Sequence, residues 1–170
     1  MKQIAIVAAG PSFLDAPYHR PGWQIWATGW RIAHAVPRVD RFYEVHDRAD
    51  DIYPPHYLDA LEFLPVWNLD PAFNGNLVRE VEIKNAFGTE FLTCSAAWMC
   101  AEALLESPDR IGFWGVEMDW EGEYRNERYG VKHFIRLATE RGIDIVYPPD
   151  NPLAVDQAAY PHRHKKEALQ

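Results

Sequence analysis

The segment Gln3–Ala9 is a nearly continuous apolar run that stops abruptly at Gly10-Pro11-Ser12, and this pattern constrains the fold most. A strand with one wet face alternates apolar and polar residues. A strand covered by helices on both faces is apolar throughout, so the run predicts a central strand of a parallel sheet. Further strands are expected at Trp23–Ala27, Asp40–His46, Pro65–Asn68, Arg110–Trp114 and Ile143–Tyr147, with Val78–Ile83 as an edge strand. Between them, helices are expected from Thr28-Gly29 to Ala35, over Pro54–Leu64, over Thr93–Leu105 and over Val131–Arg141, the last closed by Gly142. Alternating strands and helices predict an α/β chain, a single three-layer Rossmann-like domain with a mostly parallel sheet and right-handed crossovers. The 170 residues suit one domain. We divide them into a nucleotide-binding unit over 1–150 and a C-terminal tail over 151–170, polar at Pro161–Gln170.

The net charge of −8 offers no basic stripe to displace counterions from a nucleic-acid backbone, so general nucleic-acid binding is excluded. A small phosphorylated ligand is still allowed, because backbone N–H groups can hold an anion unaided. No run approaches the roughly 18 apolar residues of a membrane span. The opening MKQIAIVAAG lacks a signal peptide's length and cleavage context, so a cytoplasmic protein with reduced Cys94 and Cys100 is expected. Two carboxylates, Glu117 and Asp119, follow one strand without a His/Cys cluster, so neither a metal site nor a cofactor is expected. His162 and His164 read as solvated tail residues.

In open parallel sheets, ligands bind beyond the carboxyl ends of the strands, where the strand order reverses. The residues just past the expected strands are therefore the candidate site: Gly10, Pro11 and Ser12; Thr28 and Gly29; His46 beside Asp47; Ser95 and Ala96 at a helix start; and Glu117. Each has a structural reading as well. Gly-Pro-Ser ends strands in many proteins, Thr93 or Ser95 suits an N-cap, and His46 can simply bond a neighbouring backbone group. The stretch Trp120–Tyr129, with Tyr124, Arg125 and Arg128, reads as a mobile loop over the site or as a solvated charged loop. Trp30, Trp120 and Tyr124 are candidates for stacking on a base.

Three segments carry a family resemblance. IAIVAAGPSF resembles the opening strand and turn of the small bacterial sialyltransferases. FLTCSAAWMCAEALL followed by RIGFWGVEMDWEGEY resembles their serine-containing helix start and following strand end, and HFIRLATERGIDIVYPP is similar to their final helix and strand. Uncharacterised glycosyltransferase-like Rossmann proteins, including small bacteriophage members, share the pattern. The resemblance implies a nucleotide or nucleotide-sugar partner, with Gly10, Pro11 and Ser12 near its phosphate and ribose. It also implies Gly29 and His46 near polar contacts, Ser95 and Ala96 lining the nucleotide, and Glu117 in place of an aspartate. Tyr124 would steady a departing phosphate. The family's histidine base has no counterpart in Tyr124–Arg128, and His133 is the nearest histidine. Two functions follow. One is metal-independent transfer of a sugar from an activated nucleotide donor, with Tyr124 and His133 as catalytic residues and His46 or Glu127 as alternative bases. The other is capture of a nucleotide-derived signal without reaction, as a phage counter-defence sponge, with a homo-oligomer enclosing the guest.

Overall fold

The structure is a computed structural model that describes residues 1–48, 53–118 and 123–157, with 123–126 and 155–157 described by backbone alone. Among the described residues, seven parallel strands form one sheet: β1 (Gln3–Val7), β2 (Trp23–Thr28), β3 (Arg41–Glu44), β4 (Val66–Asn68), β5 (Asn76–Leu77), β6 (Arg110–Trp114) and β7 (Asp144–Val146). Their spatial order is β5-β4-β3-β2-β1-β6-β7. The chain steps outward from β1 to β5, then returns past β1 to place β6 on its other side. Strand order therefore reverses between β1 and β6, where Val7 lies in register with Trp114.

Right-handed crossovers put the connections of the two halves on opposite faces. One face carries the 3₁₀ turn Pro11–Asp15 and the helix α1 (Pro55–Leu61), over a core of Val7, Ile25, Phe42, Tyr57 and Trp114. The other carries α2 (Glu80–Phe87), α3 (Ser95–Leu105) and α4 (Glu123–Glu140), over Ile4, Ile6, Trp26, Phe113 and Phe134. A further helix, α5 (Pro152–Gln157), follows β7. The sheet has helices on both faces, which is why β1 is apolar from Ile4 to Val7 and wholly buried there.

Three expectations are corrected. Trp30–Ala35 is a run of turns, tied by Ile32 N–H to Gly29 and Ala35 N–H to Ile32, rather than a helix. Val78–Ile83 contains the start of α2, and the edge strand is Asn76–Leu77. The apparent alternation of Val81 and Ile83 misleads, because Ile83 is buried while Val81 is 72% exposed. Glu80 pairs with Lys84 one turn on, and Gly88, at φ +73°, closes the helix. Finally, α4 begins at Glu123, not Val131, so residues 123–129 are helix rather than loop. Gly130 disguised this. A Cβ there would meet Phe91 O at 2.2 Å and Thr93 Oγ1 at 2.3 Å, so the glycine lets segment 91–93 lie against the helix. The expectations for Asp119, Trp120, His162 and His164 fall outside the described residues.

At the amino ends of the strands, Arg41 lies between the rings of Trp26 and Trp67, 4.2 and 4.1 Å from their centres. Its guanidinium pairs with Glu106 at 2.6 Å and with the fully buried Glu102 at 3.6 Å. Burial pushes the Glu102 carboxyl above its ordinary range, against the pull of Arg79 and Arg41.

Candidate functional site at the strand-order reversal

The turns leaving β1 and β6 are bound to each other. The amide of Gly10 donates to Gly115 O at 2.9 Å, and that of Gly115 donates to Ser12 Oγ at 2.7 Å. The amide of Ser12 donates to Glu117 Oε1 at 3.0 Å. Gly10 and Gly115 are required by this closeness. A Cβ on Gly10 would lie 1.7 Å from Glu117 Oε2, and one on Gly115 would lie 2.0 Å from Ala8 O. Gly115 also sits at φ +68°, a conformation that L side chains disfavour. Glu117 Oε2 is shielded from solvent and has no hydrogen-bond partner.

This geometry changes the role expected of Gly10-Pro11-Ser12. A glycine turn at this point of the fold usually lets backbone amides approach a phosphate. Here the Ser12 amide already serves an anion from within the chain, and Glu117 fills the space above Gly10. A second anion at the same spot would meet like charge. A hydroxyl or amine donor, by contrast, would meet in Glu117 Oε2 an acceptor that has no partner within the protein.

The start of α3 lies on the same rim. Cys94 is its N-cap residue, correcting the expectation of Thr93 or Ser95, and it makes no side-chain cap bond. The Thr93 hydroxyl instead donates to Glu127 O at 2.9 Å, tying α3 to the second turn of α4. Arg128 reaches back to Met118 O at 3.5 Å, so the α3 start, α4 and the β6 exit are joined. Burial pushes the Cys94 thiol up to about 11, although the Ala96 and Ala97 amides pull the other way. It is therefore a weak nucleophile. Ser95 is half-buried and Ala96 buried, at a helix end without an oxygen cap. Amides at a helix start, with the helix dipole behind them, favour an anion.

The remaining expected residues are placed as follows. Thr28 is buried, and its hydroxyl donates to Tyr43 O at 3.0 Å, latching β2 to β3. Gly29, at φ +106°, turns the chain away behind it. His46 is 52% exposed, with Nδ1 2.7 Å from Glu44 Oε1. Glu44 is itself buried, and its other oxygen accepts from Tyr57 Oη at 2.6 Å. Burial raises the Glu44 pKa, but the bonds from His46 and Tyr57 outweigh it and hold the carboxyl below its ordinary range. Tyr124 and Arg125 lie in the first turn of α4. His133 is ten residues beyond the start of that helix, about 15 Å along its axis. Its ring lies flat on Phe91, with centroids 3.5 Å apart, and burial, helped by Arg136, lowers its pKa. Among the described residues, no three His, Cys, Asp or Glu side chains gather as a metal site, and no helix is long and apolar enough to cross a membrane.

Glu44, Tyr57 and Asn68 escaped the sequence reading. A charged residue inside the apolar DRFYEVH was the available signal for Glu44, since an unpaired buried carboxylate would not be tolerated.

No family model and no curated protein matches the sequence. Two solved structures do match, both of the sialyltransferase CstII from Campylobacter jejuni. The complex with a substrate analogue, cytidine-5′-monophosphate, aligns at TM-score 0.58 and 12% identity over 91% of this chain and 83% of that one. The complex with CMP-3FNeuAc aligns at TM-score 0.52 and 12% identity, over 91% and 84%. What is shared is the fold. This chain has the Rossmann-like α/β architecture of that glycosyltransferase, as the sequence led us to expect.

Proposed function

We propose that the protein binds a nucleotide or nucleotide sugar across the β1/β6 reversal. The observation that carries this reading is the unbonded, shielded Glu117 Oε2, held over Gly10 at the point where sheets of this topology bind ligands. In this reading Glu117 accepts from a hydroxyl or amine of the nucleoside. The phosphate lies toward the α3 start at Ser95 and Ala96, with Tyr124 and Arg125 on the neighbouring helix turn. Gly10, Pro11, Ser12, Gly29 and Gly115 shape the floor. The CMP and CMP-3FNeuAc complexes of the structural neighbour support the choice of ligand class.

Whether a sugar is then transferred separates two versions of the reading. Transfer needs a base near the acceptor, worth on the order of 10²–10⁴ in rate. His133 is the histidine on α4, and its stacking on Phe91 favours the version in which the ligand is retained.

The test is calorimetric titration with CMP and CMP-3FNeuAc, followed by mass spectrometry after incubation with a panel of nucleotide sugars. Saturable binding that Ser95→Trp abolishes, without loss of folded signal, is expected. Absence of binding by every nucleotide and nucleotide sugar, or unchanged affinity in Ser95→Trp, would refute the reading. Consumed donor identifies an enzyme, and intact recovery identifies a protein that only holds its ligand.

A further inference from the structure

Asn68 is the last residue of β4 and is fully buried, yet neither Oδ1 nor Nδ2 has a hydrogen-bond partner. An amide left unbonded in a dry interior is costly, and such groups are few in folded proteins. Those that persist call for a cause, and a ligand is one.

The surroundings favour a ligand. Asn68 pairs in register with Glu44 on β3, so both side chains project on the same face of the sheet, toward α1. Glu44 beside it does not bond Asn68: its Oε1 lies against the His46 amide and Nδ1, and its Oε2 accepts from Tyr57 Oη. The loops leaving the two strands form one clasp. The Arg48 amide donates to Asp70 Oδ2 at 2.9 Å, and Arg48 Nη1 donates to Ala72 O at 2.7 Å. A buried amide thus lies at the carboxyl ends of two strands, behind loops that polar bonds from Arg48 tie to each other.

We propose that Asn68 is the floor of a second ligand subsite, opened when the 45–48 and 69–73 loops part. It would take a neutral group that presents a hydrogen-bond donor and acceptor side by side, the pattern complementary to a carboxamide. The vicinal hydroxyls of a sugar and the amide edge of a nucleobase both have this pattern. The β3/β4 gap lies three strand spacings from the β1/β6 gap, about 14 Å. That separation suits the far end of an extended ligand, such as a nucleotide carrying a sugar or a second nucleoside. The proposal rests on the nucleotide reading only for that extended-ligand view and the choice of probes.

The test uses the full chain, ¹⁵N-labelled, with the Asn68 side-chain amide signals assigned by their absence in Asn68→Leu. A methyl hexoside and cytidine are titrated separately to millimolar concentration. Saturable movement of the Asn68 signals by the hexoside identifies a sugar diol, and movement by cytidine identifies a base edge. Followed by the backbone amide signals of residues 44–48 and 68–73, binding of the active probe should weaken about tenfold in Asn68→Leu, as expected for a lost hydrogen bond left uncompensated, and the variant should melt no lower than the wild type. Signals unmoved by either probe overturn the proposal. So does a lower melting point in Asn68→Leu, since that would assign the amide a permanent structural partner such as a buried water. Failure of CMP to bind would sink the β1/β6 reading while leaving this readout intact.

Discussion

Replacing Gly10 by alanine tests whether Glu117 and the glycine turn form one unit. Gly10 has φ −74° and ψ 166°, which alanine adopts freely, so any loss must come from contacts. The new methyl would stand 1.7 Å from Glu117 Oε2 and 2.8 Å from Gly115 O. Glu117 can swing away, but it then forfeits the 3.0 Å bond from the Ser12 amide. A hydrogen bond to a charged group contributes about 1.5–3 kcal/mol. Alanine's lower entropy in the unfolded chain returns about 0.4–1 kcal/mol where its native conformation is unstrained. Adding the tight contact with Gly115 O, the net loss should be about 2 kcal/mol. For a chain of this size, that is a drop of about 4–8 °C in melting temperature. The assay is urea unfolding of Gly10→Ala, Glu117→Ala and the double variant. With Glu117 already truncated, most of the clash is gone, so the cycle should show a coupling of about 1 kcal/mol or more. An equal cost of Gly10→Ala in both backgrounds would refute the reasoning.

Other expectations follow from the same geometry. Glu44 has a folded pKa below its unfolded value of about 4.3, so its stabilisation is complete above that pH and is lost as pH falls through the lower folded value. Glu44→Gln should flatten the acid limb of urea stability between about pH 3 and 5, and an unchanged slope there would contradict the assignment. Arg41→Ala leaves the buried Glu102 without one cation and empties the space between Trp26 and Trp67. It should cost about 3–5 kcal/mol, with Arg41→Lys recovering only part because lysine cannot stack as a plane; a loss under about 1 kcal/mol by urea unfolding would disprove the network's role. Both cysteines are free thiols with pKa values raised by burial. At pH 8 they should react with a disulfide reagent far more slowly than in the urea-unfolded chain, and equal rates would contradict their burial.

The order of apolar runs and polar stops was enough to read a parallel α/β sheet and to place Gly10, Ser12, His46 and Glu117 just past the strands, because burial on both faces leaves a pattern in local sequence. The edge of the sheet was less legible. At Val81 and Ile83, two-residue alternation arose by accident in a helix with one buried face, and Gly130 looked like a loop residue although it is a packing gap inside α4. The chemistry of the site was decided by tertiary contact alone. Residue type shows that Glu117 bears a negative charge. Only the approach of the β1 and β6 exits shows that one oxygen accepts from the Ser12 amide while the other is shielded and without a partner. Likewise, Asn68 is an unremarkable strand-end residue until β3 brings Glu44 beside it with both oxygens engaged. Periodicity along a chain records which side chains leave water; which polar groups they then meet depends on segments distant in sequence, and no local pattern encodes that.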